Sequence, residues 1–375
     1  MVILILARTL QADREPERRP AFDFVGALLS IFGWSSIVLG ILLAQKYGFF
    51  LAQEPFVWGS LEIAPFGLSI TPVLVGLGLL LVILLFRWEG NLESAGKDAL
   101  FRPSLLGISG IKPGMAIRFL QTGITAAFLY VLPLLLQLSF EFTAMQTGLA
   151  LMPFSLMLLI LAIVGARLSA RFYANRMIQV GFVIAAAGLG SMAASIQPDA
   201  SFQELALGGL FGAGIGLIAS QILNLILSGV SEQQTPETAG LTSTFEQLGN
   251  AIGVALIGTM MVMTLAANLQ QGFDVSSVIP EEIKAPLIAS AEESVQLMSS
   301  TALEQGLADA GVEAEVAAEI EDIYALSRTQ AFKAGVGFLV FASLLGLIVA
   351  LWLPKRKLVD TEGAPAEGVA AAAET

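Results

Sequence analysis

Long apolar segments with almost no charge recur along the sequence, and this feature constrains the fold more than any other. One of them, TPVLVGLGLLLVILLF at 71–86, contains no charged residue. A helix of about 20 such residues crosses the roughly 30 Å hydrocarbon layer of a bilayer. Charged residues make up 13% of the chain, against about 25% in soluble domains. We therefore predict an all-α polytopic membrane protein with eight transmembrane helices. Their cores are 24–44, 66–87, 115–138, 145–164, 178–196, 203–228, 239–265 and 331–353.

Basic residues divide unevenly between the two sides of these predicted spans. With the N-terminus inside, 14 of the 19 Lys and Arg residues lie inside and four lie outside, while Arg118 falls within a span. Positive charge accumulates on the cytoplasmic side of membrane proteins, so both termini are expected in the cytoplasm. The inner residues are Arg8, Arg14, Arg18, Arg19, Arg87, Lys97, Arg102, Lys112, Arg167, Arg171, Arg176, Lys355, Arg356 and Lys357, and the outer ones are Lys46, Lys284, Arg328 and Lys333.

The spans and the polar segments between them divide the chain into seven regions. These are a cytoplasmic start and linker at 1–21, two transmembrane helices at 22–88, a cytoplasmic linker at 89–112, a transmembrane bundle at 113–266, an extracytoplasmic insertion at 267–329, the last transmembrane helix at 330–354 and a disordered cytoplasmic tail at 355–375. Ala, Glu and Leu recur at helical spacing in the insertion, which predicts two or three short amphipathic helices.

The absence of two residue types removes several classes of chemistry. The chain has no Cys and no His, so thiolate chemistry and Cys/His metal sites are excluded. A proton relay would have to use carboxylates. No catalytic triad or phosphate-binding loop can be assembled, and no basic patch with interleaved aromatic residues suggests nucleic acid. We expect no enzymatic activity, no metal, no cofactor and no nucleic-acid partner.

Three predicted helices carry polar residues at helical spacing in the same half of the membrane. The pattern is clearest in TSTFEQLGNAIG, where Glu246 lies one turn before Asn250 in an otherwise apolar segment. Such stripes face a bundle interior or a water-filled cavity. The candidates for a substrate or proton pathway are Arg118, Gln121, Thr125, Gln221, Asn224, Glu246 and Asn250.

Glu246 allows two interpretations. In the first it lines an inner cavity, pairs with Arg118 or meets cytoplasmic water, and exchanges a proton or contacts substrate. In the second it reaches the membrane interface or braces neighbouring helices, which is the structural use of such a residue. A charge at the centre of a membrane helix costs about 2.5–3.5 kcal/mol on insertion scales, and less near an end.

Glycines at four-residue spacing predict close helix packing in lipid. They are Gly208, Gly212, Gly216, Gly249 and Gly253.

From residue 113 onward the sequence resembles a known family. FLYVLPLLLQLSFEFTAMQTGLALMPFSL resembles the ninth and tenth helices of the 14-spanning drug:proton antiporters of the major facilitator superfamily. AGLTSTFEQLGNAIGVALIG is similar to the thirteenth helix. GARLSARFYANR resembles the second copy of the superfamily's cytoplasmic loop motif, although the family's Asp falls at Ala170 and its Gly at Tyr173. The motif residues are Gly165, Arg167, Arg171 and Arg176.

The resemblance implies that the eight spans correspond to helices seven to fourteen of the family. It implies proton-coupled efflux of amphipathic drugs by alternating access in a bacterial cytoplasmic (inner) membrane, with protons, lipid and a small amphipathic substrate as partners. The first six-helix half is then absent, and Met1 would be an internal residue of a longer reading frame. The alternative is a non-transporting fragment, or a membrane scaffold or subunit that requires a separate first half.

Overall fold

The computed structural model describes residues 22–48, 50, 56–58, 61–63, 67–196, 209–293 and 297–357. Within these ranges the α-helices are α1 (Phe24–Tyr47), α2 (Ile70–Ser94), α3 (Ile111–Leu138), α4 (Ala144–Leu168), α5 (Ala174–Ser195), α6 (Gly209–Leu227), α7 (Thr235–Val275), α8 (Glu281–Glu293), α9 (Ser300–Asp309) and α10 (Ala314–Ala350). Short 3-10 helices lie at Pro103–Gly107 and Glu232–Gln234. The predicted start at 1–21, the tail after 357 and Gly208 lie outside the described residues.

Eight of these helices, α1 to α7 and α10, are long and apolar enough to cross a membrane. The prediction of an all-α polytopic membrane protein is therefore confirmed. Two short antiparallel strands, β1 (Phe56–Trp58) and β2 (Leu61–Ile63), pair between α1 and α2. The sequence analysis did not predict this hairpin, because three residues are too few to show an alternating pattern.

Six helices, α3 to α7 and α10, pack as one bundle. Helix α3 contacts α7 and α10, α6 contacts both α4 and α5, and α10 also contacts α5 and α7. Phe128, Phe154 and Phe211 cluster in its core, with ring centroids 4.5, 5.0 and 5.6 Å apart. Helices α1 and α2 pair with each other as a hairpin, and α1 joins this hairpin to the bundle through α7.

Large apolar side chains remain exposed on the outer faces of the molecule. Leu79, Leu80 and Ile83 are exposed on α2, and Leu156 and Leu159 are exposed on α4. In water such surfaces would promote association, whereas lipid solvates them. The distribution fits helices that face the bilayer.

The predicted insertion at 267–329 is partly continuous with the spans. Helix α7 runs on to Val275 and α10 already begins at Ala314, so α8 and α9 are the separate short helices. Helices α7 and α10 thus both continue beyond the ends of the predicted spans. The two extensions share a second apolar core, which includes Leu269 and Phe273 of α7 and Ile320 of α10.

Candidate functional site

The two ends of the bundle differ in charge, and we name them accordingly. The basic end carries the linker 95–110, the turn 169–173 and the segment 351–357. The acidic end carries the turn 139–143 together with α8 and α9.

Arg118 of α3 and Glu246 of α7 form an ion pair toward the basic end. The Arg118 Nη2 lies 2.6 Å from the Glu246 Oε2, and the Arg118 Nη1 donates to the Gln121 Oε1 at 2.9 Å. The two charged side chains are 16% and 34% exposed. A charge-assisted hydrogen bond in such a partly desolvated place is stronger than one on the surface. Loss of either partner would leave the other charge poorly solvated.

Close backbone contact between α3 and α7 holds this pair in place. The Thr122 Oγ1 donates to the Glu246 carbonyl at 3.1 Å. A Cβ added to Gly249 or Gly253 would collide with the α3 backbone, at Phe119 and at Gly123. Glycine at these two positions therefore allows the helices to approach closely enough for the ion pair.

Glycines also permit the approach of α6 to α4. A Cβ on Gly212 would collide with the Phe154 carbonyl, and one on Gly216 with the Leu158 carbonyl. Both contacts are with backbone atoms, which cannot move aside as a flexible side chain could.

The polar residues of α6 lie apart from the ion pair. Gln221 is fully buried, and its Nε2 donates to the Gly165 carbonyl of α4 at 2.9 Å. Its Oε1 has no hydrogen-bond partner within the described part of the chain. The Asn224 side chain is exposed. The structure thus brings Gln121 to the charged pair but directs Gln221 toward α4.

The remaining pathway candidates make local contacts. The Thr125 Oγ1 donates to the Gln121 carbonyl of its own helix at 2.7 Å. The half-buried Asn250 donates to Gln247, also on its own helix. Neither side chain connects α3 with α7.

The three arginines of the loop motif are exposed. Arg167, Arg171 and Arg176 form no ion pair or side-chain hydrogen bond with any residue that the structure describes. Arg356, at the same end of the molecule, does contact the chain after a helix C-terminus, because its Nη1 donates to the Ser228 carbonyl at 2.8 Å. Its own carbonyl accepts the Ala174 N–H at 3.0 Å.

Two of the cavities among the residues that the structure describes have the size of ligand sites, which is about 300–1,000 Å³. One of about 470 Å³ lies between α7 and α10, where Met260, Met263 and Phe338 provide apolar lining and Asn268 a polar group. Methionine and aromatic side chains suit an adaptable apolar site. Neither Arg118 nor Glu246 lines it.

The second cavity, about 350 Å³, lies at the basic end between the α1–α2 hairpin and the start of α7. Trp34, Phe101 and Phe245 line it, together with Glu237. Glu237 also binds Arg102, through the backbone N–H and a 3.8 Å contact with the guanidinium. No sequence pattern indicated a role for these residues.

Three helix carboxylates hold the linker 95–110 through hydrogen bonds. This feature was not predicted from the sequence. Each accepts a backbone N–H of the linker: Glu89 from Leu100, Glu93 from Ser104, and Glu237 from Arg102. The spacing of Glu89 and Glu93, one turn apart at the end of an apolar helix, was the available signal. Their partners could not be read from spacing because the linker turns back on itself.

The acidic end contains a second polar cluster that the sequence analysis missed. Glu141 accepts the Thr301 N–H at 3.0 Å and its hydroxyl at 2.6 Å. Arg328, only 5% exposed, donates to the Met298 carbonyl at 2.9 Å and to the Ser300 Oγ at 3.0 Å. These bonds fix the start of α9 to the turn 139–143 and to α10.

No family model matches the sequence. The chain is 26% identical over 267 residues to the cephamycin export protein CmcT of Amycolatopsis lactamdurans, covering 69% of this chain and 50% of that protein. It is 25% identical over 280 residues to the probable actinorhodin transporter of Streptomyces coelicolor, covering 73% and 45%. It is 31% identical over 262 residues to the uncharacterized MFS-type transporter YvkA of Bacillus subtilis, covering 68% and 52%.

This chain is a homologue of major facilitator superfamily drug and antibiotic exporters. It spans about half the length of the curated relatives that it matches. The relatives are transporters, so the prediction that the chain is not an enzyme is confirmed. Together with the eight apolar helices, they identify a multi-pass bacterial membrane protein.

Proposed function

We propose that this major facilitator homologue provides the second six-helix half of a proton-coupled exporter of amphipathic small molecules. The half comprises α3 to α7 and α10, and the α1–α2 hairpin precedes it. A first six-helix half, in the same or a separate chain, would complete the transporter. The basic end faces the cytoplasm in this proposal, which agrees with the accumulation of Lys and Arg there.

The ion pair of Arg118 with Glu246 is the observation on which the proposal depends. Ionisable residues within membrane helices are costly, and they commonly mark substrate, ion or proton pathways. Here the pair joins two helices whose backbones touch at Gly123 and Gly253. Protonation of Glu246 would remove its charge and weaken its attraction to Arg118, which couples proton uptake to the separation of α3 and α7. Rocking of one half against the other is how this type of transporter exposes a central site alternately.

A second candidate function is that of a membrane scaffold or subunit without transport of its own. In that case Arg118 and Glu246 brace the bundle.

The Glu246→Gln variant tests the proposed role of the pair. We expect it to reduce proton-driven dye efflux at least about tenfold, because a neutral side chain cannot exchange the proton. The assay compares efflux from proteoliposomes across a range of pH, with and without an imposed proton gradient. The chain is reconstituted together with the first six-helix half of a related exporter.

Glu232→Gln is the matched control, since Glu232 is an exposed acid at the same end of the molecule. It should leave both the rate and its pH dependence unchanged. Equal efflux and an equal pH profile for the wild type and Glu246→Gln would refute the coupling role. Absence of efflux from every preparation, with intact folding, would favour the scaffold function.

A further inference from the structure

Glu89, near the end of α2, is a fully buried acid with no basic partner. Its side chain is 0% exposed. Its Oε2 accepts the Leu100 N–H at 2.9 Å, whereas its Oε1 accepts no hydrogen bond within the described part of the chain. A buried carboxylate oxygen without a donor is strongly destabilised, so this atom requires an explanation.

The carboxyl of Asp23 faces the unpartnered oxygen. Both groups point at the same side of Gly26, because a Cβ built there would collide with the Asp23 Oδ2 and with the Glu89 Oε1. Asp23 has donors of its own: the Trp88 Nε1 lies 3.1 Å from each carboxyl oxygen, and the Gly26 N–H donates to Oδ1 at 3.0 Å. These donors bind Asp23, and none of them reaches the Glu89 Oε1.

Among the residues that the structure describes, no Lys or Arg pairs with either acid. Asp23 is the titratable group that acts electrostatically on Glu89. Arg87 and Lys97 are exposed and form no ion pair with either acid in the described ranges. From the linker and α7, Arg102 pairs with Glu237, and Glu93 of α2 binds Ser104.

Two ionised carboxylates only accept hydrogen bonds, so they cannot bond to each other. A single proton between them resolves the conflict: the O–H of one carboxyl donates to the carboxylate of the other. Since Asp23 receives the N–H bonds of Trp88 and Gly26, the geometry favours the proton on Glu89. The remaining oxygen of Glu89 then keeps its bond to Leu100.

We propose that Asp23 and Glu89 form a proton-binding site at the basic end, separate from the Arg118–Glu246 pair, and that the bound proton holds the linker 95–110 against the α1–α2 hairpin. Loss of the proton places two negative charges side by side. Glu89 then turns away and releases Leu100. This site does not depend on transport, so it goes beyond the proposed function and can be tested in the purified chain.

Infrared spectroscopy of the purified full chain tests for the proton directly, because protonated and ionised carboxyls absorb at different frequencies. We expect a protonated-carboxyl band at neutral pH that disappears as pH rises, and that Glu89→Gln lacks at every pH. Glu93→Gln is the matched control, since Glu93 lies one turn away on the same helix and also accepts a linker N–H. It should keep the band.

Accessibility of the linker provides the second measurement. The chain has no Cys, so Ala99→Cys introduces one reactive thiol beside Leu100. Its labelling by a soluble maleimide, relative to the same thiol in the Glu89→Gln background, should rise by up to about tenfold per pH unit until the proton is lost, and should level off above that pH. Glutamine imitates the protonated acid and should keep the linker attached at all pH values.

Three results would overturn the proposal. One is identical carboxyl bands in the wild type and Glu89→Gln between about pH 5 and pH 9. Another is linker labelling that follows the same pH profile in both backgrounds. The third is protection of the linker at high pH by sodium ions, which would make the pair a cation site. If Glu89→Gln does not fold, Asp23→Asn replaces it: an amide that donates to Glu89 removes the need for the shared proton, so the protonated-carboxyl band should be lost in this variant, and a band that persists would overturn the proposal.

Discussion

At the scale of single residues, the contact of α3 with α7 depends on the absence of side chains. A Cβ on Gly253 would lie 2.7 Å from the Gly123 Cα and 2.8 Å from its carbonyl carbon. Both are backbone atoms, so a larger residue has to push the helices apart. The Arg118–Glu246 pair lies two turns away along α7 and would be stretched by the same movement.

We predict that Gly253→Leu destabilises the protein by about 1–3 kcal/mol, the usual cost of overpacking. Thermal unfolding in detergent should show a lower Tm than that of the wild type. Gly240→Leu is the control, because Gly240 lies on the same helix and a Cβ there meets nothing within 4 Å. A Tm for Gly253→Leu as high as that of the control would show that α3 and α7 are not in close contact.

Some of these residues could be identified from the sequence and others could not. Arg118 and Glu246 stand out because a charge in an apolar helix is visible without a structure. Glu89 lies just outside the predicted span, so its burial was hidden. Asp23, which lies beside Glu89 in the structure, looks in the sequence like an ordinary N-cap residue of α1. Only the pairing of α1 with α2 brings the two acids together, and this depends on tertiary contacts that spacing does not encode.

At the scale of elements, hydrogen bonds from α9 to a carboxylate in the turn 139–143 hold α9 against the bundle. Glu141 lies in the turn between α3 and α4 with φ of 52°, a conformation that non-glycine residues rarely adopt. It accepts two hydrogen bonds from Thr301 in the first turn of α9. Negative charge at a helix N-terminus is favourable. The strained backbone of Glu141 therefore accompanies the hydrogen bonds that link the turn 139–143 to α9. We call this link the tether.

The tether should weaken in acid. The hydroxyl and then the N–H of Thr301, with a smaller effect of the Arg328 charge, lower the pKa of Glu141 below its usual 4.5. Because the folded pKa is lower than the unfolded one, the stabilisation is present above about pH 4.5 and is lost as pH falls through the folded value. We predict a roughly twofold to fivefold loss of hydrogen-exchange protection in α9 at low pH.

Protection has to be expressed relative to the intrinsic exchange rate at each pH, since that rate itself depends on pH. Glu141→Gln should show the lower protection already at neutral pH and little further change in acid. Glu304→Gln, an exposed acid within α9, should behave like the wild type. An unchanged pH profile in Glu141→Gln would mean that the carboxylate does not hold α9.

The elements themselves were largely predictable, because eight apolar runs of helical length leave no other fold in lipid. The ends of α7 and α10 were not. Hydropathy marks where a helix leaves the hydrocarbon, whereas the helix ends where its hydrogen bonding ends. In this chain the second apolar core, with Leu269 and Ile320, extends both helices beyond that point.

At the scale of the whole molecule, the side of the membrane with which the proposed proton sites exchange depends on which end faces the cytoplasm. If the basic end does, the Arg118–Glu246 and Asp23–Glu89 pairs exchange protons with the cytoplasm, and α8 and α9 lie outside. The segregation of Lys and Arg supports this orientation. The acidic α8–α9 segment does not decide it, because Asp and Glu contribute little to topology.

Single cysteines can measure the orientation without background, because the chain has none of its own. Gln305 is exposed on α9 at the acidic end, and Gln233 is exposed at the basic end. We predict that a membrane-impermeant maleimide labels Gln305→Cys in intact cells and labels Gln233→Cys only after the membrane is opened. The reverse pattern would mean that the basic end faces outward and that the Arg118–Glu246 and Asp23–Glu89 pairs are both open to the outside. Labelling of both sites in intact cells would mean that the chain inserts in two orientations. A single chain of this type could then not couple efflux to a proton gradient in one direction.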